Sequence, residues 1–204
     1  MGYKFTTGSV SRGDIYFEDD RDSDATYINF EQNAVSFVAG GTSQLNVSAS
    51  AVGVGTVAPV SALDVHHNPT AYSNDTGGGE VVLFGAGPSG GSTTAGKLYY
   101  LDDAGQWELA QANSLTTCGT LLAIALGTTP GTHGMLIRGF FDMHSNFTGT
   151  FNEGMPVYVD DANAGKVTMT APDTSGDIIR IVGYCTTTSN VIYFNPSMNT
   201  LELS

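Results

Sequence analysis

The chain has 204 residues, with 7 Lys plus Arg against 20 Asp plus Glu, a formal net charge of -13 and a pI near 4.3. That balance argues against sequence-independent binding to nucleic acid or anionic lipid, both of which need clustered cations to release counterions. Charged residues are only 13% of the chain, but 41% hydrophobic and 10% aromatic content excludes disorder and predicts a folded core.

Short apolar segments between Gly, Asn, Asp and Pro recur at roughly 8- to 12-residue spacing, and no long window shows a 3.6-residue period, so the chain is predicted to be mainly β. Residues 1–50 read as a small N-terminal β module with strands at Asp14–Phe17, Thr26–Phe30, Ala34–Val38 and Gln44–Val47, separated by turns such as Gly40-Gly41. Residues 51–79 change character. The small residues of Val52-Gly-Val-Gly-Thr-Val-Ala-Pro and the triple glycine Gly77-Gly-Gly suit an extended connector ending in a hinge. Residues 80–204 resume as strands: Val81–Phe84, Lys97–Leu101, Gln106–Ala110, Gly119–Leu126, Met135–Phe141, Pro156–Val159, Lys166–Thr170, Ile178–Tyr184 and Val191–Phe194. Their spacing predicts a C-terminal antiparallel β-barrel or sandwich, and the near-continuous apolar run from Ile178 predicts a central strand.

No run approaches the roughly 18 apolar residues of a membrane span, and Met1 to Gly8 lack the apolar core of a secretory signal, so no membrane insertion is expected. Cys118 and Cys185, the only cysteines, lie in apolar strand-like contexts and read as buried free thiols.

Several motifs invite chemistry. Gly85-Ala-Gly-Pro-Ser-Gly follows a strand and matches a dinucleotide-binding loop, but Lys97-Leu-Tyr-Tyr-Leu resumes as strand before any helix can open on the glycines. The overlapping Gly91 to Leu98 nearly spells a phosphate loop, with Leu98 where a magnesium-holding hydroxyl is required. Asp20, Asp22 and Asp24 alternate in an acidic turn that could present carboxylates to calcium, although the pattern is not an EF-hand. In an oligomer with a threefold axis at this position, His66 or His67 could bring three copies of one imidazole together to bind a metal. His133 and His144 read as turn residues, Asp102-Asp103 and Asp160-Asp161 as turn formers, and no nucleophile elbow is present, so no catalytic, cofactor or metal residue is assigned. Tyr99, Tyr100, Trp107, Phe140, Phe141, Phe147, Phe151 and Tyr158 gather in the second part. Alternation predicts that some of these rings face outward or into a subunit interface.

Gly8-Ser-Val-Ser-Arg-Gly-Asp-Ile-Tyr-Phe-Glu-Asp-Asp, Thr26-Tyr-Ile-Asn-Phe, Val52-Gly-Val-Gly-Thr and Pro59 to Val65 resemble fibre and appendage proteins of tailed phages, of the marine and cyanobacterial type. Gly96-Lys-Leu-Tyr-Tyr-Leu, Gly154-Met-Pro-Val-Tyr-Val and Ile181-Val-Gly-Tyr resemble the β-rich terminal domain of the same proteins. The resemblance implies a non-enzymatic virion structural protein, made in the host cytoplasm, that contacts other virion proteins of the tail or capsid. It also implies a homotrimer, which the short strands and Gly-rich connector independently favour, because intertwined chains bury together what one cannot. A tail fibre or similar appendage touching a host surface glycan is the expected role; a capsid decoration or head-fibre protein is the alternative, and a glycan-cleaving spike a minor one. Because three copies at -13 each repel an anionic envelope, any host contact is expected to use neutral sugars on aromatic rings, or divalent cations at Asp20, Asp22 and Asp24.

Overall fold

A computed structural model describes residues 15–16, 26–66, 69 and 72–204. The chain is mainly β, with 41% strand and two short helices, and divides into two compact units, residues 1–67 and 68–204.

The first unit is one six-stranded sheet in sequence order: β1 (Ile15–Tyr16), β2 (Tyr27–Glu31), β3 (Ala34–Ala39), β4 (Thr42–Ser48), β5 (Val52–Val54) and β6 (Leu63–Val65). Tight turns explain the meander. Gly40 and Gly41 lie at φ 57° and 70°, the doubly left-handed backbone of a two-residue hairpin whose twist matches the strands it joins. The register of β3 on β4 shifts between Phe37 and Val38, where Gln44 is the extra residue of a bulge. β6 then runs parallel to β5. Residues 55–62 make that return without a helix, tied down by Gly55 N–H to the Gln44 carbonyl at 3.0 Å and His66 N–H to the Val54 carbonyl at 2.9 Å.

The second unit holds a ten-stranded sheet that curls into a half-barrel. Its strands are β7 (Gly77–Val82), β8 (Leu98–Leu101), β9 (Trp107–Leu109), β10 (Leu122–Ala125), β11 (Met135–Asp142), β12 (Phe147–Thr148), β13 (Pro156–Val159), β14 (Val167–Thr168), β16 (Ile181–Cys185) and β17 (Val191–Phe194). Their order is β12-β14-β13-β16-β17-β11-β10-β8-β9, with β7 paired to β11. A separate ribbon joins β15 (Ile178–Ile179) to β18 (Leu201–Glu202). One-turn helices α1 (Leu115–Cys118) and α2 (Pro130–His133) fill connections; Ser114 Oγ caps the first by accepting from Thr116 N–H at 3.2 Å. The main core includes Leu98, Ile124, Phe141, Val157, Val182 and Phe194, all at 0% exposure, and a second cluster gathers Tyr99, Trp107, Ala123, Ala125 and Met135.

Three sequence expectations change here. The stretch 51–79 read as a connector carries β5, β6 and the start of β7. The triple glycine is strand: Gly77 to Gly79 lie against Arg138 to Phe141 so closely that a Cβ on Gly79 would sit 2.6 Å from Gly139 Cα, and one on Gly139 would sit 2.3 Å from the Gly78 carbonyl oxygen. The glycines thus serve close approach of two backbones. The apolar run from Ile178 is broken at Arg180, which leaves Ile181–Cys185 as the central strand between β13 and β17.

Gly139→Ala is therefore expected to destabilise the second unit by about 3 kcal/mol, through overpacking and the φ of 152°. Chemical denaturation of the full chain followed by Trp107 fluorescence measures this as a lowered midpoint; an unchanged midpoint contradicts the close-approach account.

Candidate functional site

Cross-strand register in the first unit gathers most of the apolar strand residues on one face, with Tyr27 and Val38 on the other. Ile15, Ile28, Phe37, Leu45, Val54 and Val65 form one continuous row across all six strands. Phe30, Val35, Val47, Val52 and Leu63 form a second row beside it. The opposite face carries Asn29, Ser36, Asn46, Gly53 and Asp64 in one row. Period-2 alternation of the strands produces this division, and the Gln44 bulge absorbs the one residue that would otherwise invert β4 midway.

Burial runs opposite to polarity. On the polar face Ser36 and Asn46 are buried and joined by a 2.7 Å bond from Asn46 Nδ2 to Ser36 Oγ, while Ser43 Oγ is enclosed without a partner. On the apolar face Phe37 is 44% exposed, Val54 40%, Val65 49% and Leu63 65%. Among the described residues of this unit, Val38 alone is a buried apolar side chain. Ile15, Ile28, Phe37 and Gln44 help line a cavity of about 540 Å³ at one end of the apolar face, with nearly all of its accessible lining apolar. Such a surface binds by removal of apolar area from water.

The sequence-derived candidates are dispersed. Asp20, Asp22, Asp24 and His67 lie outside the described residues. His66 Nε2 stands 3.3 Å from Asp64 Oδ1, and Asp64 Oδ2 accepts from Val60 N–H at 2.9 Å, so this carboxylate ties the return into β6. Among the described residues no group of three or more His, Cys, Asp or Glu gathers as metal ligands. Thr129 N–H donates to His133 Nδ1 at 3.2 Å, and His144 Nδ1 meets Asn190 Nδ2 at 3.2 Å. Asp102 Oδ1 accepts from Ala104 and Gln106 N–H, and Asp160 Oδ1 from Ala162 and Asn163 N–H, the turn bonds expected of Asp.

The Gly85 to Gly90 loop contains a single tight turn at Pro88–Gly90 and no α-helix. Trp107 closes it, donating from Nε1 to the Phe84 carbonyl at 2.8 Å, and Glu108 Oε1 accepts from Ser89 N–H at 2.9 Å. A carboxylate already holds an amide of this loop, which opposes phosphate binding. Leu98 is fully buried in the core. The aromatic expectation also shifts: Tyr99, Trp107 and Phe141 are buried, because both sides of the curled sheet around β8 and β11 carry an apolar cluster. Phe84 and Tyr184, 44% and 48% exposed, are the outward rings of this unit.

No protein-family model matches this chain, and neither the curated proteins nor the solved structures contain a significant match.

Cys118 and Cys185 are buried free thiols. Burial pushes the Cys118 thiol from its ordinary 9.0 up to about 11, against a smaller lowering by the Arg180 guanidinium. An acid whose folded pKa is raised contributes full stability below its unfolded pKa and loses it as pH rises. Unfolding midpoints are therefore expected to fall between about pH 9 and 11, less steeply in Cys118→Ala; an identical fall in that variant contradicts the assignment.

Proposed function

We propose that this chain is a non-enzymatic virion structural protein, a tail fibre or similar appendage, assembled as a homotrimer in which the apolar faces of the N-terminal sheets meet. The observation that carries the reading is a sheet one layer thick whose apolar rows are exposed. A sheet must bury its apolar face against another layer to be stable.

The rest of the N-terminal sequence is strongly charged. Residues 1–14 and 17–25 include Asp14, Glu18, Asp19, Asp20, Asp22 and Asp24, with Lys4, Arg12 and Arg21 among them. A copy of the same chain brings a matching apolar surface whose rows carry no charged residue, so no charge is buried where the faces meet. Six strands about 4.8 Å apart and rows spanning about five residues give a face of roughly 500 Å². Three such faces withdraw about 1,500 Å² in all, roughly 500 Å² for each pair of chains, so the apolar rows supply about half of the roughly 1,000 Å² of a specific pairwise interface. The sequence resemblance to phage fibre and appendage proteins supplies the virion setting, and the exposed Phe84 and Tyr184 rings are available to stack on a host glycan.

A capsid decoration or head-fibre protein is the second reading, favoured by the self-contained core of residues 68–204. The position of its density on the particle separates the two.

Size-exclusion chromatography with light scattering tests the assembly. The wild type is expected at three times 21.3 kDa, and Phe37→Asp or Val54→Asp, each placing a carboxylate in the interface, is expected to weaken association by roughly 100-fold or more. A wild type that is a stable monomer at micromolar concentration overturns the trimer.

A further inference from the structure

Arg180 is a buried cation without a counter-charge. It is 6% exposed and stands at the break between β15 and β16. Nε donates to the Ser197 carbonyl at 2.8 Å, and Nη1 donates to the carbonyls of Cys118 and Thr120, the latter at 2.7 Å. Those three bonds use three of the five guanidinium N–H groups. Nη2 has no hydrogen-bond partner among the described residues, yet it is not one of the fully enclosed unpartnered atoms. Nη2 is therefore not fully enclosed, and Arg180 lines a cavity. No carboxylate among the described residues pairs with Arg180, so burial is opposed only by carbonyl dipoles.

The cavity is about 240 Å³ and belongs wholly to the second unit. Besides Arg180 it is lined by Arg138 and Glu80, by the Asn195 side of the β17 exit, and by apolar walls that include Leu121, Ile137 and Met198. Arg138 Nε stands 3.6 Å from Glu80 Oε2, and the two side chains are 59% and 57% exposed, a weak and salt-screened pair. Two guanidinium groups against one carboxylate leave one positive charge around an otherwise apolar hollow, in a chain that is strongly acidic as a whole.

We propose that this cavity binds a small monocarboxylate, with the carboxylate group on Arg180 Nη2 and Arg138 and its carbon skeleton against Leu121, Ile137 and Met198. One negative charge matches the net charge of the lining; a phosphate dianion would meet Glu80 with charge to spare. The ligand replaces Glu80 on Arg138 and gives Arg180 the charge partner it lacks, through charge-assisted bonds stronger than those to neutral carbonyls. Size limits the ligand to a single sugar ring or a short chain, below the roughly 300 Å³ at which drug-sized pockets begin. The site is independent of how the N-terminal sheet is covered.

The test is an NMR titration of the full chain with sodium glucuronate and sodium hexanoate at constant ionic strength, with methyl glucoside and hexanol as uncharged controls. Saturable shifts of the Arg180 Nε–H and the Ile137 methyl signals are expected with a carboxylate and absent with its control. The stronger response assigns the source: glucuronate an acidic sugar, hexanoate an aliphatic acid. Arg138→Gln, at an exposed position, is expected to weaken the binding roughly fivefold to tenfold, while Glu80→Gln strengthens it. No saturable shift with either acid, equal response to the uncharged controls, or titrations unchanged by both variants would each overturn the proposal.

Discussion

Burial of a sheet's apolar face is the constraint on which the N-terminal unit turns. Rows of Ile, Phe, Val and Leu aligned across six strands form an apolar surface, and nothing in the sheet itself can cover it. Each side chain on it is worth about 1.5–3 kcal/mol when fully withdrawn from water, so the face as a whole outweighs the marginal stability of a small domain. The polar face has the reverse chemistry, with Asn46 and Ser36 satisfied by each other within the layer. Covering such a surface gains free energy, and its rows carry no charged residue to oppose a cover.

The second unit solves the same problem inside one chain. Curling the sheet lets β8 and β11 send alternate residues into two clusters, with Leu98 and Phe141 in one and Tyr99 and Met135 in the other. Two local devices hold the curl. Gly77 to Gly79 and Gly139 allow β7 to lie unusually close to β11. Arg180 crosses from the β15–β16 break to gather the carbonyls of Cys118, Thr120 and Ser197, segments that no ladder joins. The cost of burying that charge is what makes its cavity a candidate for an anionic partner.

Much of this was legible in the sequence. Period-2 alternation located Ala34–Ala39, Met135–Asp142, Pro156–Val159 and Val191–Phe194 to within a residue or two, and the all-β class followed from the turn residues between them. Val52–Val54 and Leu63–Val65 were hidden because three-residue strands carry little periodicity, and their parallel pairing is a tertiary fact. Gly77 to Gly79 were misread since glycine in a turn and glycine in a close strand contact look alike until the neighbour is known. The apolar alternation of Thr26–Phe30 and Gln44–Val47 was visible, but which face would be covered was not. Arg180, set inside an apolar run, was the one local signal of a buried cation, and it reads equally as an interruption of a strand.

The central claim is that the N-terminal sheet depends on contact between copies, whereas residues 98–194 do not. Amide hydrogen exchange on the full chain, comparing wild type with Phe37→Asp, tests it most directly. The account predicts that Phe37→Asp removes protection throughout residues 27–65 while the amides of Leu98–Leu101, Met135–Asp142 and Val191–Phe194 keep theirs. Equal protection of residues 27–65 in a variant shown to be monomeric would contradict it.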